Sequence, residues 1–226
     1  ADATLGPLID LVRDSGSPAD NDVVGKINFT ADNDAGQATI YGDTFVKLTD
    51  VSDGTEDATI SFRTIANGAL KEISMEAGNL IFNETGAGVH LGVTSSTAAN
   101  LLDDYEEGTF NITSAGTGYA ISAQGGVYTK IGDTCHIQFT LTFSSVNSGS
   151  NSTVTLSSLP FTSKNNGIAS TGTIRESTNT GAIYVVLVQP NDSDFSINSM
   201  DNVSNGSTRP IATSENYVAS MTYKTA

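Results

Sequence analysis

Hydrophobic and polar residues alternate in short stretches along this chain, and the alternation predicts strands almost everywhere. Over residues 24–30, Ile27 and Phe29 sit between Lys26, Asn28 and Thr30. Over 59–64, Ile60 and Phe62 sit between Thr59, Ser61 and Arg63. A period of two marks a strand with one buried face. Asn67-Gly68 follows at once and predicts a tight hairpin, since both residues tolerate positive φ. Asp34-Ala35-Gly36, Asp53-Gly54, Gly78-Asn79 and Gly86-Ala87-Gly88 mark further turns. Residues 5–12 are apolar enough for a short helix, but Pro7 and the order Leu8, Ile9, Leu11, Val12 suit a strand equally well.

The clearest strand covers 135–143. Cys135, Ile137, Phe139, Leu141 and Phe143 fall on one face; His136, Gln138, Thr140 and Thr142 fall on the other. Further strands are predicted over 127–131, 153–156, 167–174, 183–188 and 217–223. Ser/Asn/Gly-rich runs over 144–152 and 202–208 separate them. This rhythm predicts an antiparallel β-sandwich or jelly-roll-like fold. Loops on such a scaffold usually carry binding. Tyr119, Asn147, Asn151, Asn179 and Asn205 are therefore the candidate receptor- or partner-contacting residues.

Charge divides the chain. Residues 1–110 hold 19 of the 25 acidic residues and 5 of the 10 Lys/Arg, a net of −14; residues 111–226 hold 6 and 5, a net of −1. Three segments follow: an acidic, β-rich module over 1–95, a linker over 96–108 and a β-sandwich module over 109–226. In the linker, Ser96 or Thr97 is an adequate N-cap and Ala98, Ala99, Leu101 and Leu102 favour helix. The acidic cluster Asp103, Asp104, Glu106 and Glu107 would lie at the wrong end of the dipole. At most one or two turns are expected, then an extended, solvated acidic link.

The acidic balance argues against nucleic acid, which needs a basic footprint. No apolar run approaches the length of a membrane helix, so no membrane insertion is expected. A single Cys excludes an internal disulfide. The acidic module has few large apolar residues, and about 95 such residues folding alone would be marginal. Interleaving three copies would bury the open faces and pair the edges. The alternative is an ordinary monomeric sandwich.

Candidate chemistry is sparse. Cys135 lies on the apolar face and reads as a small core hydrophobe. His90 and His136 are far apart in sequence and lack a partner signature for a metal site or a triad. Asp20-Asn21-Asp22 and Asp32-Asn33-Asp34-Ala35-Gly36 superficially resemble Ca²⁺ loops but lack the alternate ligands and distal Glu such a loop needs. Asp103, Asp104, Glu106 and Glu107 do not give the two carboxyls held across a cleft that glycoside hydrolysis requires. Trp, the usual sugar platform, is absent. No catalytic residue, metal site or cofactor is expected.

Three stretches resemble a known family. Leu102-Asp103-Asp104-Tyr105-Glu106-Glu107-Gly108-Thr109-Phe110, Gly126-Val127-Tyr128-Thr129-Lys130-Ile131-Gly132 and Leu159-Pro160-Phe161-Thr162 are similar to the junction and head of fibre and tailspike proteins of tailed bacteriophages. The resemblance implies a non-enzymatic homotrimer on the virion surface, in contact with other virion proteins of tail or capsid. It implies a tail-fibre or tailspike module for host attachment, with residues 1–95 as the trimeric stem and 109–226 as the receptor-facing head, meeting a host surface glycan or protein. A capsid-decorating, stabilising trimer on the phage head is the first alternative. A polysaccharide-degrading enzyme is the second, for which the resemblance supplies no catalytic motif.

Overall fold

The computed structural model describes residues 6–95, 100–114, 118–146, 153–199, 201–202, 207–208 and 210–226. The chain is all-β, with antiparallel sheets and, among the described residues, no α-helix. It divides into two compact units between Val89 and His90.

The first unit is a five-stranded meander in the order β1-β2-β3-β4-β5. The strands are β1 (Val23–Asp32), β2 (Ala38–Asp50), β3 (Asp57–Ala66), β4 (Ala69–Glu76) and β5 (Asn79–Phe82). The predicted hairpin joins β3 to β4, with Asn67 at φ 49° and Gly68 at φ 77°. Residues 6–14 form neither helix nor strand. Cross-strand partners share a face. One row runs Val46, Ile60, Met75, Leu80; the next runs Ile27, Thr44, Phe62, Ile73, Phe82. This apolar face is open: Phe62 is 49% exposed, Met75 46% and Leu80 58%. The opposite face is polar yet covered. Asp43, Thr59, Ser61 and Ser74 are buried there. Asp43 pairs with Lys26 at 2.9 Å and with Arg63. Ser61 donates to Glu72 at 2.8 Å, and the Asn83 amide donates to Glu72 and Ser74. The Arg63 guanidinium also lies 4.6 Å over the Phe45 ring. Among the described residues this unit buries no hydrophobic side chain.

A ribbon of β6 (Val89–His90) and β7 (Leu101–Leu102) precedes the body of the second unit. Its body is one nine-stranded sheet. The strands are β8 (Tyr105–Phe110), β9 (Thr113–Ser114), β10 (Tyr119–Ile131), β11 (Thr134–Val146), β12 (Thr153–Ser157), β13 (Ser170–Glu176), β14 (Ile183–Val188), β15 (Asp194–Ser199) and β18 (Asn216–Lys224). A second ribbon pairs β16 (Asp201–Asn202) with β17 (Ser207–Thr208). The sheet order is β8-β10-β11-β18-β13-β14-β15-β12-β9. Its two edges, β8 and β9, are separated by Asn111 and Ile112 alone. Three residue steps span at most about 10 Å. The sheet must therefore curl until its edges approach, as a half-barrel. Among the described residues, all the buried hydrophobic side chains lie inside that curl, from Phe110 to Tyr223.

Residues 105–108, read from the sequence as part of a solvated link, join Thr109 and Phe110 in edge strand β8. The reason is cross-strand fit. Gly108 opposes Tyr128 and Phe110 opposes Gly126, so each aromatic ring covers a glycine on the neighbouring strand. A side chain at either glycine would collide with that ring.

Candidate functional site

The three stretches that carry the family resemblance come together at one corner of the second unit. The first two are partner strands, β8 and β10. The third supplies Phe161, whose ring meets Tyr128 edge-on with centroids 5.2 Å apart and lies 5.3 Å from Lys130 Nζ. Three carboxylates of the first stretch, Asp104, Glu106 and Glu107, are engaged there. Lys130 pairs with Asp104, the Tyr128 hydroxyl donates to Glu106, and the Tyr105 hydroxyl donates to Glu107. Asp104 and Glu106 thus tie β8 and its approach to β10, and the corner is built as a fastening rather than a cleft.

The acidic turns of the first unit are similarly committed. Asp20 accepts the Val51 N–H at 3.1 Å. Asp22 accepts the Ala19 N–H and pairs with Arg13 at 2.9 Å. Asn33 accepts the N–H groups of Ala35 and Gln37, an Asx turn. Among the described residues no three His, Cys, Asp or Glu gather as metal ligands.

Cys135 is fully buried on the inner face of β11, and burial pushes its thiol up. His136 faces outward, with Nδ1 3.0 Å from the Thr222 hydroxyl and Nε2 3.4 Å from that of Ser220.

The strand register gathers the termini at Tyr119, Val146, Thr153, Glu176, Ile183, Ser199 and Asn216 at one end of the curled sheet. Two of the sequence-predicted contact residues are described there. Tyr119 donates its hydroxyl to the Thr153 carbonyl at 3.2 Å, and its ring lies 6.5 Å from Phe143 at the edge of the core. Asn179 leaves its side chain exposed while its N–H donates to Glu176 at 2.8 Å. Asn147, Asn151 and Asn205 lie outside the described residues.

Glu176 organises the loop that carries Asn179. Its carboxylate is buried and accepts the N–H groups of Thr178, Asn179, Thr180 and Gly181 and the Thr180 hydroxyl. Burial pushes the carboxyl up, but the Thr180 hydroxyl and the loop N–H groups outweigh it and hold the pKa at about 2. The sequence Glu176-Ser177-Thr178-Asn179-Thr180-Gly181 carried the signal, a carboxylate followed by small polar residues and a glycine.

A second feature lies on the outer face of β8, β10, β11, β18 and β13. A depression of about 770 Å³ is lined there by Thr109, Gly125, Val127, Gln138, Thr140, Thr173, Arg175, Val218 and Ser220, among others. Cross-strand pairing sets its rows: Thr109, Val127, Gln138, Ser220, Thr173 and then Gly125, Thr140, Val218, Arg175. No protein-family model matches this chain, and no curated protein matches it either.

Proposed function

We propose that this chain is a non-enzymatic, homotrimeric structural protein on the surface of a tailed-phage virion, a tail-fibre or tailspike module for host attachment. Residues 1–95 are its stem, and the curled sheet is its sandwich-like, receptor-facing head. The observation that carries the reading is the open apolar face formed by Ile27, Phe62, Ile73, Met75 and Leu80 on a unit without a hydrophobic core of its own.

A second copy of the chain is the occupant that fits the face. A unit that cannot bury its apolar side needs its partner from the moment it folds, and identical chains are always at hand. Three copies suit the geometry better than two. Five strands span about 19 Å, so three such sheets forming a triangular prism stand about 5.5 Å from its axis, close to half the ~10 Å spacing of packed sheets. The prism fills without a void. It also sets each β1 edge beside a neighbour's β5 edge, whereas a face-to-face pair leaves both edges open.

The phage assignment rests on the three motif stretches, whose residues make the fastened corner of the head. The non-enzymatic reading is supported by Asp104, Glu106 and Glu107, each held by a hydrogen-bond or ion-pair partner. Capsid decoration is the second reading, favoured by the net charge of −14 on residues 1–110, which suits a basic capsid surface. Immunogold microscopy of particles carrying the chain tests the proposal. Label at the tail supports attachment; label spread over heads promotes decoration; unlabelled particles remove the virion assignment.

A further inference from the structure

We propose that the outer-face depression of the curled sheet binds a carboxylate-bearing saccharide, with Arg175 as the carboxylate's partner. This rests on the reading of the unit as a receptor-facing head and names the chemistry of its ligand.

The depression has the size of a ligand site. Its volume, about 770 Å³, lies within the range of small-molecule pockets. It crosses five strands, about 19 Å, enough for a short oligosaccharide. Its hollow arises where Gly125 presents no side chain outward, next to Thr140.

The lining selects the ligand. Gln138 offers an amide donor and acceptor, and the hydroxyl oxygens of Thr140 and Ser220, which meet Asn216 Oδ1 at 2.7 Å and His136 Nε2 at 3.4 Å, keep lone pairs for the hydroxyl groups of a ligand. Val127 and Val218 offer apolar surface for sugar C–H faces. An apolar ligand would leave the Gln138 amide without a partner, which is costly. A polyanion would find too little positive charge.

Arg175 sets the anionic preference. The other described cations of this unit already meet carboxylates: Lys130 meets Asp104, and Lys164 and Lys224 both meet Asp133. Among the described residues Arg175 meets none, and its side chain stands exposed at the end of the Thr140–Val218 row. A guanidinium takes a carboxylate through two parallel hydrogen bonds. One such partner, framed by neutral hydroxyl and amide groups, fits a uronic-type sugar acid.

Calorimetric titration of the full chain tests the site. The probes are a galacturonate hexasaccharide, its carboxyl-reduced neutral counterpart and a hexaglutamate peptide. The uronate should bind roughly tenfold more tightly than the neutral sugar, and hexaglutamate should be weaker still. Arg175→Ala should abolish the preference, and Arg175→Lys should restore only part of it. Gly125→Phe should block both sugars, since nothing lies within 4 Å of a Cβ at that position.

Absence of uronate binding overturns the proposal. So does an Arg175→Ala chain that binds like the original, or hexaglutamate that binds as tightly as the sugar. Should Gly125→Phe not fold, the two Arg175 variants decide, because their exposed position leaves folding intact. Adsorption of labelled chain to bacteria separates the two readings. Cell binding without uronate binding removes the site and leaves attachment standing. Uronate binding without adsorption removes attachment and leaves the site.

Discussion

Arg63 grips Asp43 with two parallel hydrogen bonds, Nε to Oδ1 and Nη2 to Oδ2, both 2.8 Å. The pair sits on the polar face of the five-stranded sheet, with Lys26 as the second cation at 2.9 Å. Phe62, the residue before Arg63, points to the opposite, open face. One strand thus carries a closed polar network on one side and uncovered apolar side chains on the other. That inversion is what a partner must correct, since apolar surface is the larger penalty to leave in water.

The Asp43 pair makes the first unit acid-sensitive. Its hydrogen bond from Arg63 outweighs burial and, with Lys26, lowers the carboxyl from 3.8 to about 2. A carboxyl more acidic in the folded state adds stability above its unfolded pKa and loses it as pH falls through the folded one. Stability of this unit should be flat above about pH 5 and drop between about pH 4 and pH 2. Asp43→Asn should cost about 3 kcal/mol at neutral pH and flatten the drop. Chemical denaturation across pH reads both effects.

Phe62→Glu tests the open face. Three carboxylates facing one another across a trimer axis would each be desolvated at a cost of several kcal/mol. Light scattering at micromolar concentration should give three times 23.4 kDa for the original chain and one chain mass for the variant. The unfolding of the curled sheet should not change, because among the described residues its core contains none before Phe110. A folded monomer before any substitution would remove the stem reading.

Local pattern was legible in the sequence; cross-strand neighbours were not. Alternation at Ile27/Phe29, Ile60/Phe62 and Cys135–Phe143 predicted strands that are present, and Asn67-Gly68 predicted its hairpin. β2 was not predicted, because Gly42 and Asp43 interrupt its apolar alternation; Gly42 lies mid-strand where the Arg63 carbonyl comes close. β10 was recognised only from residue 127, because Gly125-Gly126 breaks the pattern that Phe110 completes from another strand. β8 was hidden by its acidic run: Glu106 meets Tyr128, and Asp104 just before the strand meets Lys130, both partners more than 20 residues away. Arg175 had no local signal, because the depression is assembled by register among five strands.

Glu176→Gln should loosen the loop over 177–182. The substitution replaces a charged acceptor of four N–H groups with a neutral one, and such bonds are the strong ones. Amide exchange at Thr178, Asn179, Thr180 and Gly181 should quicken, while core amides of β11 stay protected. Because the folded carboxyl titrates near 2, below its usual 4.5, the same loop in the unmodified chain should begin to open only as pH falls toward that value.

Cys135 should behave as core. Its side chain is buried among the inner-face residues of the curl, and its thiol is pushed up by burial. A thiol reagent should leave the folded chain unlabelled and label it after denaturation. Cys135→Ser should destabilise the head by about 1–3 kcal/mol, since it buries a hydroxyl without an assured partner. Labelling of the folded chain, or lost cell adsorption at unchanged stability, would identify a functional thiol instead.

Salt separates a stem from a capsid clamp. Residues 1–110 carry a net of −14, so a trimer brings 3 × −14 = −42 together. Bringing like charge together weakens a trimer, and salt relieves that repulsion by shortening the screening length from about 10 Å at 0.1 M to about 3 Å at 1 M. A stem held by apolar faces should therefore become more stable as NaCl rises from about 0.05 to about 0.5 M, with the protein still on the particle. An acidic module docked on a basic capsid surface should respond oppositely, because screening weakens a charge-complementary contact. Particles washed across that range, then sedimented and probed for the chain, give the answer. Retention with a raised melting temperature is the expected result. Release of many copies from heads, with tails intact, would replace the attachment reading by decoration.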